Sequence, residues 1–266
     1  MNHSPDELPD DPPEVDSEVP EVPPPGAEAE PSQPLALLTG VEKSYRMGDV
    51  EVPVIKKVDL LVRPGHFTVI LGPSGSGKTT LLNMLGCIDR PDSGEVIVAG
   101  CDINSLDDDA LTDFRAKNVG FIFQNFNLLP VLSAYENIEY PLVLSGASER
   151  TRANRVPKLL EAVGLADKAR NRPGQLSGGQ RQRVAIARAL AVKPKLVIAD
   201  EPTANLDSRT GAAILDLMRR MQRRYKISFL FSSHDRAVIG AADDTIFLKD
   251  GVILSVRRRS GVAEAE

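Results

Sequence analysis

Eight residues, Gly72-Pro73-Ser74-Gly75-Ser76-Gly77-Lys78-Thr79, have the spacing of a phosphate-binding loop. Glycines in such a run let backbone N–H groups turn inward around phosphate oxygens. The Lys78 ammonium has the reach for β and γ phosphates, and the Thr79 hydroxyl is a ligand for Mg²⁺. The flanks fit this chemistry. Phe67-Thr68-Val69-Ile70-Leu71 is a short apolar run rich in strand formers, and Lys78-Thr79-Thr80-Leu81-Leu82 begins a helical pattern. The helix N-terminus would add a partial positive charge beside an anion. A second small-residue segment, Leu176-Ser177-Gly178-Gly179-Gln180, precedes the helical pattern 181–190. Ser177 is a natural N-cap, and the two glycines leave room for backbone amides to approach an anion. A third segment, Leu196-Val197-Ile198-Ala199-Asp200-Glu201, ends a buried-type strand in two carboxylates. Ligands gather at the C-terminal ends of strands in parallel sheets.

These three segments, in this order, resemble the ATP-binding-cassette ATPases, whose signature is LSGGQ. The resemblance covers about residues 35–259. It implies ATP and Mg²⁺ as cofactors. Nucleotide contacts then fall on Gly72, Ser74, Gly75, Ser76, Gly77, Lys78, Thr79 and Thr80, and on Ser177, Gly178, Gly179 and Gln180. Asp200 would hold Mg²⁺ with Thr79, and Glu201 would polarise the attacking water as general base. Gln124, after the apolar run 119–123, matches the glutamine that contacts Mg²⁺ and senses γ-phosphate. His234 matches the histidine on γ-phosphate, and Tyr45 the aromatic that stacks on adenine. Taken singly, Gln124 and His234 would be ordinary loop residues; their order carries the assignment. Asn205-Leu206-Asp207 matches the loop that crosses the dimer interface in this family, with Asn205 where many relatives have Ser or Gly. His66 replaces the glutamate usual before the loop strand; His3 and His66 match no motif.

The elements that must position these groups read as an α/β fold. Apolar runs at 35–41, 54–61, 67–71, 95–98, 119–123, 195–200, 227–231, 245–248 and 252–254 predict strands, the last two as a hairpin about Asp250-Gly251. Helical spacing follows Lys78, spans parts of 133–165, starts again at Ser177 and recurs at 212–221. Strands alternating with helices predict a mainly parallel core sheet of the P-loop NTPase type. To it the resemblance adds an antiparallel β subdomain and an inserted helical subdomain at about 125–176.

Composition sets the boundaries. Residues 1–34 hold ten carboxylates, ten prolines and no lysine or arginine, so the remainder carries +5 although the chain's net charge is −5. Such a tail cannot bury enough surface to fold and is expected to be disordered, with an acidic docking arm as the alternative. The cassette is then 35–260, and 261–266 a flexible C-terminus. Arg257-Arg258-Arg259 is either a solvated end or a contact for anionic headgroups. Two isolated cysteines, Cys87 and Cys101, indicate neither a disulfide framework nor a zinc site and suit a reducing compartment. No stretch has the length of an apolar membrane span, and no secretory signal precedes the fold.

The runs Phe121-Ile122-Phe123-Gln124-Asn125-Phe126-Asn127-Leu128-Leu129-Pro130 and Leu85-Gly86-Cys87-Ile88-Asp89-Arg90-Pro91 are similar to the subgroup of lipoprotein-releasing (LolD), macrolide-export (MacB) and division (FtsE) ATPases. The lipoprotein-release side fits best, because no membrane domain follows on this chain. The alternative is the ATPase subunit of a small-solute importer. Only 99 positions separate Lys78 from Ser177, with no room for the long coiled coil of chromosome-maintenance relatives, and no nucleic-acid partner is expected. The resemblance implies a homodimer closing head to tail on two ATP. It also implies integral membrane permease subunits as partners and a peripheral place on the cytoplasmic face of the inner membrane. No direct contact with the transported substrate is expected. Apolar Phe126, Leu128, Leu129 and Tyr135 are expected on the surface that receives the membrane subunit.

Overall fold

The computed structural model describes residues 33–234 and 236–259. The expected acidic tail, apart from its last two residues, the C-terminus 261–266 and His3 lie outside them. The chain opens with a long hairpin, β1 (Ala36–Met47) and β2 (Val50–Val62), followed by β3 (Phe67–Leu71) and helix α1 (Lys78–Leu85). Then come β4 (Ser93–Val98), β5 (Cys101–Asp102), α2 (Asp108–Asn118) and β6 (Val119–Ile122). Helices α3 (Ala134–Leu144), α4 (Glu149–Ala162) and α5 (Gly178–Ala189) follow, then β7 (Leu196–Ala199), α6 (Ser208–Tyr225), β8 (Ser228–Ser233), β9 (Asp244–Lys249) and β10 (Val252–Arg258).

Two sheets result. One is antiparallel, in the order β2-β1-β4-β5; the other runs β10-β9-β3-β8-β7-β6. In the second, β3, β6, β7, β8 and β9 are parallel and only β10 runs against its neighbour. Strands β3, β7 and β8 are buried along their whole length, as continuous apolar runs covered on both faces must be. Two apolar clusters fill the interior. One, around Phe67, Phe229 and Phe231, joins the parallel sheet to α3, α4, α5 and α6; the other, around Leu38, Ile70 and Leu82, joins it to the antiparallel sheet. Fold class and element order agree with the reading of the sequence.

The differences have local causes. Helix α2 was not legible as apolar periodicity because it buries one residue, Leu111. It is specified instead by charge: the Asp107 carboxylate accepts from Ala110 N–H at 2.8 Å, acids fill the first turn, and Arg115 and Lys117 fill the last. Helix α6, capped by Asp207, has 18 residues and extends four beyond each end of the apolar spacing over 212–221, because those end turns are mostly polar and carry little apolar signal. Cys87 is buried and its thiol pushed up to about 12 by desolvation; both cysteines are free thiols.

Candidate functional site

Register places the chemistry. Ile122 pairs with Ala199, Ala199 with Phe231, and Leu71 with Ser233, so four neighbouring strands end on the same edge of the sheet, β3 and β8 two residues beyond β6 and β7. The residues just beyond those ends are Gln124, Asp200 and Glu201, His234, and the loop from Gly72. All but His234 gather about a cleft of about 480 Å³ lined by Ser74, Gly75, Gly77, Lys78, Thr79, Thr80, Gln124, Asp200 and Glu201, together with Val54 from β2. His234 lies on a smaller neighbouring hollow with Thr203, Ala204 and Ser233, and Glu201 lines both.

Gly77 caps α1 at φ 100°, a backbone region closed to side chains without strain. Lys78 is 7% exposed, and its ammonium donates to the carbonyls of Gly72 and Pro73 at 2.9 Å each. Ser76 Oγ is buried with no hydrogen-bond partner among the described residues. A loop with a cation folded over it and an orphaned hydroxyl within it is suited to an anion with several acceptor oxygens.

The carboxylates are held by hydroxyls. Asp200 accepts from Thr79 Oγ1 at 3.0 Å on one oxygen and from Ser232 Oγ at 2.5 Å on the other. The same Ser232 hydroxyl accepts the backbone N–H of Glu201 at 2.9 Å. Glu201 stands at φ 44°, a left-handed conformation that this bond helps to hold. Its carboxylate lies 3.2 Å from His234 Nδ1. One carboxylate is thus spent on two hydroxyls while the other faces an imidazole that is mostly exposed to solvent. Ser232 and Val54 were missed from the sequence. The signal for Ser232 was there: a polar pair, Ser232-Ser233, ends an otherwise apolar strand directly before His234.

Besides His234, two predicted groups stand apart from this cleft. Tyr45 does not line it; its hydroxyl donates to Asp89 at 2.7 Å, and Lys43 lies 5.5 Å over its ring. Asp89 is held below the ordinary carboxylate range despite its burial, by the hydrogen bonds from Tyr45 and Lys43. Ser177, Gly178, Gly179 and Gln180 are also absent from its lining. They form a capping box at the start of α5: Ser177 Oγ accepts from Gln180 N–H at 3.3 Å and Gln180 Oε1 from Ser177 N–H at 2.9 Å. A Cβ at Gly179 would lie 2.7 Å from Thr210 Cγ2, so this position admits glycine because α6 passes against it.

The expected docking residues are also redistributed. Phe126, Leu128 and Tyr135 are half-buried, the last two packed on the core. Leu129 is exposed as expected, and in this part of the chain Val131, Tyr140, Val143 and Leu144 are exposed with it, Val131 and Leu144 at 71% and 68%. Asn137 explains the inward turn: its amide is buried and bonds backbone groups of Leu129, Leu132 and Ser133, which pins 129–133 over α3.

The family profile for ABC transporters matches residues 55–204. The lipoprotein-releasing system ATP-binding protein LolD of Anaeromyxobacter dehalogenans is 47% identical over 237 residues, 88% of this chain and 99% of its own length. The macrolide export ATP-binding/permease protein MacB of Rhodopirellula baltica is 44% identical over 230 residues, but the match spans 34% of that longer protein. Among solved structures, the dimeric structure of the bacterial ABC transporter cassette MJ0796 superposes with a TM-score of 0.78 at 42% identity, covering 85% of this chain and 99% of that one. A cleft built from a phosphate loop and a carboxylate-ended strand, a glycine-capped helix beside it, and likeness over nearly whole lengths agree: the chain belongs to the ABC transporter family, as an ATP-binding protein.

Proposed function

We propose that this chain is an ATP hydrolase that dimerises around two ATP molecules and drives a separate membrane permease of the lipoprotein-release or macrolide-export type, a translocase. The observation that carries the reading is the division of groups. One cleft gathers the loop 74–80, Gln124, Asp200 and Glu201, while the Ser177–Gln180 segment lies outside it. A second copy presenting that segment would complete the site. The dimeric MJ0796 structure, and a further one of that cassette in a post-hydrolysis state with ADP and Pi, support this arrangement. The LolD and MacB relatives support the transport type.

In this reading Lys78 leaves the two loop carbonyls for phosphate oxygens, and Ser76 gains the partner it lacks. Glu201 takes the proton of the attacking water, with His234 beside it to hold the carboxylate and touch γ-phosphate. Tyr45 releases Asp89 to stack on adenine. The donors around Thr79 and Asp200 are hard oxygens, with the Gln124 amide on the same cleft, and they fit Mg²⁺, which takes one or two carboxylates and completes its shell with phosphates and water. That ion would neutralise charge developing on the transferred phosphoryl group. Among the described residues no helix is long and apolar enough to cross a membrane. The chain would instead sit peripherally on the cytoplasmic face of the inner membrane, held through the apolar surface of Val131, Tyr140, Val143 and Leu144.

The test is Glu201→Gln. It should retain ATP binding, slow hydrolysis by roughly 10²–10⁴-fold and accumulate an ATP-bound dimer on size-exclusion chromatography. Hydrolysis at the native rate would remove Glu201 as the base.

A further inference from the structure

Beyond Gln124 the backbone takes two left-handed residues in succession, Phe126 at φ 62° and Asn127 at φ 46°. Neither is glycine, so the conformation persists because its surroundings impose it. One hold comes from α5. Arg188, whose pKa burial pushes below the ordinary guanidinium value, donates to the carbonyls of Phe126, at 2.8 Å, and Asn127. Arg181 lies 5.2 Å over the Phe126 ring. The other hold comes from the loop after Glu201. Asn205 Nδ2 donates to the Gln124 carbonyl at 3.1 Å and to Asn125 Oδ1 at 2.9 Å. A backbone carbonyl only accepts, so the amide nitrogen must face it and the orientation of Asn205 is fixed. The loop bearing Asn205 is itself tied to Glu201, whose carbonyl accepts from Ala204 N–H at 3.2 Å.

We infer that Asn205 is a positioning residue that fixes the backbone of Gln124 relative to Glu201 within one chain, so that displacement of either loop is passed to the other. This inference rests on the ATPase reading above. It differs from that reading because Asn205 touches neither the cleft nor the reacting atoms. Asn125 is its counterpart, supplying the second acceptor.

Steady-state ATP hydrolysis by the full-length chain with Mg²⁺ tests it, using Asn205→Ala, Asn125→Ala, the double variant and Asn205→Asp. The aspartate keeps the shape but has no N–H to donate and sets a carboxylate against the Gln124 carbonyl. Loss of these bonds should lower kcat about fivefold in Asn205→Ala and further in Asn205→Asp, with KM for ATP within about twofold of native. The double variant should be no slower than Asn205→Ala, since both changes break one contact. A residue that only stabilised the loop would move the unfolding temperature and leave kcat alone. Native kcat in both Asn205 variants, or a double variant as slow as the product of the singles, overturns the inference while leaving the ATPase reading intact. A native chain whose hydrolysis is indifferent to Glu201→Gln removes that reading, and this inference with it.

Discussion

Ser232 is fully buried, and its hydroxyl bridges the Asp200 carboxylate and the backbone N–H of Glu201. Ser232→Ala removes one oxygen and asks what that junction is worth. The bond to Asp200 has a charged acceptor, a class worth about 1.5–3 kcal/mol. The substitution also leaves the Glu201 N–H without its acceptor in a position where the backbone is left-handed. If the lost energy falls on alignment of the two carboxylates, kcat drops by about 10–150-fold, since each 1.36 kcal/mol is tenfold. Lys78, its two loop carbonyls and Ser76 are untouched by the change, so the dissociation constant for a fluorescent ATP analogue should stay within about twofold. In a domain of this size a share of about 1 kcal/mol appearing as lost stability lowers the melting temperature by about 2–4 °C. The assays are phosphate release at saturating ATP and Mg²⁺, equilibrium nucleotide binding, and a thermal melt. A variant with native kcat would refute the argument, because the carboxylates would then hold their places without the hydroxyl. A variant whose nucleotide affinity collapses with its rate would refute it equally, by placing the effect on the phosphate loop.

Gly179→Ala should lower the melting temperature by a few degrees through the contact with Thr210, and Thr210→Ser, which deletes the methyl, should restore it; no recovery in the double variant would show that α6 is not the obstacle. His66 is pushed below 6.5 by desolvation and by the Arg63 guanidinium, against the pull of Asp244. A depressed histidine stabilises the fold above pH 6.5 and loses that contribution as pH falls from there through its folded value, so melting temperature should fall less between pH 7 and 5 in His66→Gln than in the native chain. Leu144→Glu should leave folding intact and abolish sedimentation with membranes, whereas Leu128→Glu should unfold the packing beneath it; membrane recovery of the Leu144 variant would sink the docking surface.

The sequence made the strands around the cleft legible because parallel strands buried on both faces must be nearly continuous apolar runs, and 67–71, 196–199 and 228–231 are. The phosphate loop, the carboxylate pair and the Ser177 cap were legible because each combines a rare spacing with the right flanks. What was not legible depends on long-range pairing. Ser232 matters through Asp200, 32 positions away, and Val54 reaches the cleft only because β2 crosses the phosphate loop. Tyr45 was read by resemblance as facing adenine. Here its hydroxyl is committed to Asp89, 44 positions on, a contact that no local pattern announces. The apolar residues after Gln124 look alike along the chain, and only the fold of 125–133 over α3 decides that Leu128 turns inward and Val131 outward.

Lys78 gives one further consequence. Two of its ammonium's three donors are already engaged, by Gly72 and Pro73. Any anion entering the loop therefore competes with the loop's own carbonyls for the same protons, and association is an exchange of acceptors. The free energy gained is the difference between a charged and a neutral acceptor, smaller than the full value of either bond. Such an arrangement keeps the loop folded between turnovers and limits how tightly it can grip. On the proposed reading, a highly charged triphosphate would displace both carbonyls more readily than a product with less charge, which would give the lysine back.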